Sequence, residues 1–241
     1  MSFKMSNSTM LDGPSRAPAS GKKAKQAVVF LHGYGSDGND LIGLASYFAE
    51  SLPDAAFFSP HAPEAGETGM GRQWFTLQGY DPNLLRRDPS RMTDAFARMY
   101  DGAKNSATSL NAYLDRVLEE TGLEASSLAL IGFSQGTMMA MHIGLRRPSA
   151  IGAIVGYSGA LLGSEHLAAE AKPRPPILLV HGSADDVVPL PALTHMQRAL
   201  DDQDIAYTAH ILPDHGHGIE QIGATLGRDF LQQNLKVSGP S

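Results

Sequence analysis

Leu128-Ala-Leu-Ile-Gly-Phe-Ser-Gln-Gly-Thr-Met-Met-Ala-Met-His142 is the stretch on which the reading of the chain turns. An apolar run breaks at Gly132-Phe133-Ser134-Gln135-Gly136 and resumes at helical spacing, the pattern of a strand, a sharp turn and a helix. The turn has the form G-x-S-x-G. Glycines two residues to either side let neighbouring backbone approach closely, so the serine can sit on a strained turn with its hydroxyl projecting. Ser134 is therefore a candidate nucleophile. Ordinary strand-to-helix turns also collect Gly and Ser, so the meaning of the pentapeptide depends on the rest of the chain.

Working outward, residues 26–31, 55–58, 128–131, 151–155 and 177–180 are short continuous apolar runs, as expected of strands buried on both faces. Helical patterns separate them. Leu41, Leu44, Ala45 and Phe48 share one face behind a cap at Asn39 or Asp40, and Leu110, Tyr113, Leu114, Val117 and Leu118 share another, closed by Gly122. Pro189 or Pro191 opens a helix carrying Leu193, Met196 and Leu200, and the last helix uses Ile219, Ile222, Leu226 and Phe230. Residues 205–211 alternate in polarity and are expected at a sheet edge. The alternation predicts an α/β protein with a mainly parallel, doubly wound sheet, helices on both faces and ligands at the carboxyl ends of the strands.

Two regions lack such a pattern. Residues 1–25 are rich in Ser, Lys, Pro and Gly and are predicted to be a flexible N-terminal extension, leaving 26–241 as a single catalytic domain. Residues 60–104 hold seven Pro and Gly positions between Pro60 and Pro82 around the sole tryptophan, Trp74, and are predicted to form a wall over the site.

Composition excludes several function classes. The 241 residues, 42% hydrophobic, suffice for one well-buried core, and a formal charge of -6 with dispersed Lys and Arg argues against a nucleic-acid partner. Zero cysteines exclude disulfides, a thiol nucleophile and thiolate metal sites. No run approaches the roughly 18 apolar residues of a membrane span, and residues 1–26 lack the apolar stretch of a signal peptide, so a cytoplasmic protein without stable membrane insertion is expected.

A serine hydroxyl needs a base within hydrogen-bond reach and a third group that fixes the base in one tautomer. In doubly wound hydrolases these follow the serine as an acid and then a histidine, on loops after later strands. The chain supplies His181-Gly-Ser-Ala-Asp185-Asp186-Val-Val-Pro189 and then Leu212-Pro-Asp-His215-Gly-His217-Gly. Asp185 competes with Asp186, and His215 with His217. Glycines on both sides let the His217 ring turn into the site, which favours it. A metal held by His215, His217 and His210 is the alternative use of the histidines; it leaves the serine turn unexplained. A developing oxyanion needs donors. The Gln135 backbone N–H at the start of the helix is one and the Tyr34 N–H, in the loop after the first buried strand, is the other. His32 beside it reads as a residue that fixes the loop. Trp74, Phe75, Leu161 and Leu162 read either as core or as walls of an acyl pocket.

These residues resemble the carboxylesterase and phospholipase branch of the α/β-hydrolases, which includes acyl-protein thioesterases and lysophospholipases. The likeness runs from about Gln26 to the last helix. It rests on Phe30-Leu-His-Gly-Tyr-Gly35, Ser59-Pro-His-Ala-Pro-Glu64, Gln73-Trp-Phe75, Gly132-Phe-Ser-Gln-Gly136, His181-Gly-Ser-Ala-Asp-Asp-Val-Val-Pro189 and Gly216-His217. The resemblance implies an α/β-hydrolase fold and a triad of Ser134, Asp185 and His217. It assigns the oxyanion hole to the Tyr34 and Gln135 amides and the substrate cleft to Gln73-Trp74-Phe75. It implies no cofactor, and as reaction the hydrolysis of a small-molecule acyl ester, with thioester or lysophospholipid hydrolysis as the alternative within the family. Tyr34, where leucine is frequent, and the N-terminal extension depart from the commoner pattern. The absence of cysteine separates the chain from dienelactone-hydrolase-like relatives. A catalytically inactive binding module of the same fold is the reading outside the class, and apolar residues within 60–104 leave a homodimer open.

Overall fold

The computed structural model describes residues 10–67 and 69–237. Seven strands form one sheet in the order β1-β3-β2-β6-β7-β8-β9, built from β1 (Ser15–Arg16), β2 (Gln26–Leu31), β3 (Ala55–Phe58), β6 (Leu128–Phe133), β7 (Ala153–Tyr157), β8 (Ile177–Gly182) and β9 (Thr208–Leu212). β4 (Glu64–Ala65) and β5 (Arg72–Gln73) make a separate two-stranded hairpin. Every pair in the large sheet is parallel except β1 with β3. The continuous apolar runs are explained by burial on two sides. In β2, Ala27, Val29 and Leu31 join one core cluster while Val28 and Phe30 join another across the sheet, and all six strand residues are buried.

Helices cover both faces. α1 (Gly38–Leu41), α2 (Ala45–Ala49) and α8 (Gln221–Asn234) supply buried side chains to one cluster, and α4 (Met92–Thr121), α5 (Gln135–Gly144), α6 (Leu167–Glu170) and α7 (Pro191–Asp201) to the other. α3 (Pro82–Arg87) lies in the excursion between β3 and α4. The architecture is the α/β-hydrolase fold read from the sequence.

Several boundaries differ from expectation. α4 spans 30 residues, starting at Met92, so the last part of the segment expected to be irregular wall, residues 92–104, is helix. Its buried stripe of Met92, Phe96, Met99 and Ala103 continues through Leu110, Leu114 and Val117, and Gly122 closes it at φ 71° by donating to the Leu118 carbonyl at 2.8 Å. Gly102 stands in mid-helix because a Cβ there would meet the Phe75 Cβ at 2.7 Å. α1 is capped by Asp37, which accepts from the Asn39 N–H at 2.7 Å, in place of Asn39 or Asp40. α8 buries Gly223, Ala224, Gly227 and Leu231 and leaves Ile222 exposed, because Tyr157 occupies the space beside Gly227 and admits only small residues on that face.

The segment predicted to be a flexible extension is tied down over its described part. Ser15 and Arg16 pair with Phe58 and Phe57, Leu11 is buried, and the His61 N–H donates to the Asp12 carbonyl at 2.7 Å. A two-residue edge strand has no periodicity to read, so its order comes from tertiary pairing. Residues 1–9 lie outside the described residues.

Candidate active site

Ser134 occupies the turn between β6 and α5 at φ 55°, ψ -117°, a conformation unfavourable for any residue with a Cβ. The surroundings enforce it. The Ser134 N–H donates to the Tyr157 carbonyl at 2.9 Å, and the Thr137 hydroxyl, placed one helical turn on, is 2.8 Å from both the Gly132 and Tyr157 carbonyls. Side chains at Gly132 and Gly136 would collide with backbone of the turn and with the Leu31 carbonyl, which accounts for both glycines of the motif. Ser134 is 8% exposed, and its Oγ has no hydrogen-bond partner among the described residues.

The structure brings Asp185 and His217 together, from the loops after β8 and β9. The His217 Nδ1–H donates to Asp185 Oδ2 at 2.8 Å, with Oδ1 at 3.0 Å. The Asp185 side chain is fully buried, and its Oδ1 also accepts the Val187 and Val188 N–H groups at 3.0 and 2.8 Å. Burial pushes the carboxyl upward. The His217 hydrogen bond and charge, the Val188 N–H and the nearby His181 outweigh it and hold the Asp185 pKa below the usual carboxylate range. The His217 ring packs on Phe133, the residue before the candidate nucleophile, with centroids 4.8 Å apart.

The competing residues face elsewhere. Asp186 is exposed, and His215 donates from Nδ1 to the Pro213 carbonyl at 2.7 Å. Among the described residues no group of three or more His, Asp or Glu is placed to hold a metal ion. His181 lies beside the pair; its Nε2–H donates to the Val188 carbonyl at 2.8 Å and is 3.6 Å from Asp185 Oδ2.

Gln135 begins α5, so its backbone N–H is one of the donors a helix leaves unpaired. Tyr34 lies in the facing loop, half-buried, with its hydroxyl donating to Glu67 Oε2 at 3.2 Å. His32 fixes that loop, as expected. Its Nδ1–H donates to the Gly33 carbonyl at 2.8 Å while Nε2 accepts the Ala62 N–H at 3.0 Å, a neutral ring with one tautomer. Burial lowers the His32 pKa and favours the same form.

Trp74, Phe75 and Leu161, expected among the substrate-binding residues, are 0%, 1% and 0% exposed. Trp74 and Phe75 act as a foundation. The Trp74 Nε1–H donates to the His32 carbonyl at 3.0 Å, and the Trp74 backbone N–H donates to the Gln135 side-chain oxygen at 2.8 Å. The Gln135 amide donates in turn to the Phe75 carbonyl at 2.7 Å. The sequence reading gave Gln135 a backbone role alone; its side chain also locks α5 to the 74–75 segment. Pairing of a side-chain amide with two backbone groups distant in sequence has no local signature.

Residues 15–235 match the model of the phospholipase/carboxylesterase family. The chain is similar to esterase YpfH of Escherichia coli, 26% identical over 89% of this chain and 85% of that one. It is also similar to acyl-protein thioesterase 1 of Saccharomyces cerevisiae, 30% identical over 73% and 77% of the two chains. Among solved structures, the crystal structure of esterase PE8 superposes with a TM-score of 0.84 at 38% identity, covering 94% of this chain and 100% of that one. The chain belongs to the phospholipase/carboxylesterase family of α/β-hydrolases and is a hydrolase acting on ester bonds.

Proposed function

We propose that the chain is a serine carboxylesterase in which Ser134 is the nucleophile, His217 the base and Asp185 the residue that orients it. The observation that carries this reading is the His217 Nδ1–H on the buried Asp185 carboxylate at 2.8 Å, with the imidazole packed against the Ser134 turn. In this mechanism the hydroxyl proton passes from Ser134 Oγ to His217 Nε2 as Oγ attacks the acyl carbon. The oxyanion is received by the Tyr34 and Gln135 N–H groups, each worth roughly 2.7–4 kcal/mol in the transition state. The alcohol leaves with the proton from His217. Water then attacks the acyl-enzyme with the same base, which returns the proton to Ser134 and releases the acid. In this reading the Ser134–His217 hydrogen bond forms when substrate is bound, as catalytic hydrogen bonds are often long or unmade in empty sites.

Burst kinetics test it. Mixing enzyme with an activated aryl ester gives a pre-steady-state release of about one equivalent of phenol per active site; no burst, together with no acylated Ser134 in acid-quenched enzyme by mass spectrometry, overturns the acyl-enzyme route. A second reading, acyl thioester hydrolysis, is favoured by the similarity to acyl-protein thioesterase 1. Comparing kcat/KM for esters and thioesters of matched chain length separates the two. Among the described residues no helix is long and apolar enough to cross a membrane; the cytoplasmic location stays part of this proposal, tested by cell fractionation.

A further inference from the structure

We infer that Tyr80 and Arg86, from the excursion that leads into and forms α3, are positioning residues that hold the Asp185 turn in its working geometry. The inference rests on the reading of Ser134, Asp185 and His217 as the triad. Its basis is the way two peptide planes of the turn are used at both ends. The Asp186–Val187 peptide presents its N–H, that of Val187, to Asp185 Oδ1 at 3.0 Å, and its carbonyl, that of Asp186, accepts from Arg86 Nη2 at 3.1 Å. The Val187–Val188 peptide presents the Val188 N–H to the same Oδ1 at 2.8 Å, and its Val187 carbonyl accepts from the Tyr80 hydroxyl at 2.8 Å. No peptide bond here is cis, and in a planar trans unit the N–H and the carbonyl point in opposite directions. Fixing the carbonyl therefore fixes the direction of the N–H. Tyr80 and Arg86 each set one of the two amides that hold the carboxylate, and a donor on the carbonyl also polarises the amide it is conjugated with.

The surroundings keep these donors in place. Tyr80 is half-buried, and burial, then the Asp185 charge, hold its phenol well above the ordinary range, with Arg86 acting the other way, so it stays a donor. Arg86 is exposed and is steadied by a 3.0 Å bond to Asn83, while Asp81 caps α3 through the Asn83 and Leu84 N–H groups at 2.9 and 3.1 Å. Farther back the same excursion meets the loop that carries the other oxyanion donor. Glu67 accepts from Tyr34, and the Gly35 N–H donates to the Arg72 carbonyl at 2.9 Å. One segment thus spans from the oxyanion loop to the acid turn.

The test uses Tyr80→Phe, Arg86→Gln and the double variant of the full chain, assayed on a short-chain aryl ester with the thermal midpoint of each recorded. The expected result is a kcat about tenfold lower in the double variant with KM within about twofold, as for a small misplacement of catalytic groups. Arg86→Lys, which keeps a cationic donor, recovers part of the loss. A second readout is the low-field 1H NMR resonance of the His217 Nδ1–H, which broadens or moves upfield in the double variant. An unchanged kcat and resonance in the folded double variant overturns the inference, and so does a raised KM with kcat retained, which assigns the pair to substrate contact. Tyr80→Phe removes a single oxygen and carries the test alone if the double variant does not fold. Organophosphonate labelling of Ser134 in the wild type separates the two levels. A labelled wild type with unaffected variants defeats this inference alone, whereas an unlabelled one defeats the triad reading beneath it.

Discussion

Asp185 accepts from one imidazole and two backbone amides with no exposed side-chain surface, so its ionised state is fixed by the fold. Asparagine at this position keeps the volume and loses the charge, and its amide presents an N–H where His217 needs an acceptor. Asp185→Asn is expected to lower kcat by about 10³–10⁴-fold with little change in KM, measured by steady-state kinetics on an aryl ester. Retention of more than a tenth of the activity contradicts the role given to Asp185. At this scale much was legible. Ser134, Asp185 and His217 each follow a strand and come in a fixed order, which sequence displays directly. The choice of His217 over His215 leaned on its flanking glycines, and the structure adds the Pro213 carbonyl that engages the His215 ring.

At the scale of elements, the start of α5 is joined to the 74–75 segment through the Gln135 side chain. Gln135→Ala removes the side-chain amide and leaves the buried Trp74 N–H and Phe75 carbonyl without that partner. The expected cost is about 1–3 kcal/mol of stability for each group so exposed to an apolar setting. Because the Trp74 ring also supports the His32 carbonyl in the oxyanion loop, kcat should fall more than KM rises. Denaturant titration and steady-state kinetics on the same preparation check both parts; a variant as stable and active as the wild type contradicts the account of the clamp. Elements with buried faces were legible, since β2 and β6 read as apolar runs and Leu110 to Val117 as a stripe. The first half of α4 was hidden by Gly102, which is there for Phe75, and by the Pro and Gly positions upstream. β1 was hidden because two residues carry no period. Sequence also left open whether Trp74 and Phe75 pack in the core or line a pocket, because an aromatic beside a cleft in sequence can lie beneath it in space; both are buried.

Across the whole molecule, the sheet brings the proposed site residues to the carboxyl ends of β2, β6, β8 and β9, while buried histidines are expected to make the fold sensitive to acid. His142, at the far end of α5, is 3% exposed, and its Nδ1 has no partner among the described residues. Burial first, then the Arg146 charge, lowers its pKa from 6.5 to about 4. The folded chain refuses a proton that the unfolded chain accepts below pH 6.5. The stability is therefore complete above that value and is lost as pH falls toward about 4, by an amount on the order of 2–3 kcal/mol. Burial lowers the pKa of His32 and His181 in the same sense. Denaturant midpoints recorded from pH 7 to pH 4 should fall steeply in the wild type and less steeply in His142→Leu; parallel curves contradict the assignment. The central claim, that Ser134 is the reacting atom's residue, is tested most directly by stoichiometric labelling. An organophosphonate should add one equivalent to the peptide containing Ser134, seen by mass spectrometry, as esterase activity disappears in proportion. A folded, active protein that loses its activity with the label elsewhere, or keeps it after Ser134→Ala, contradicts the account.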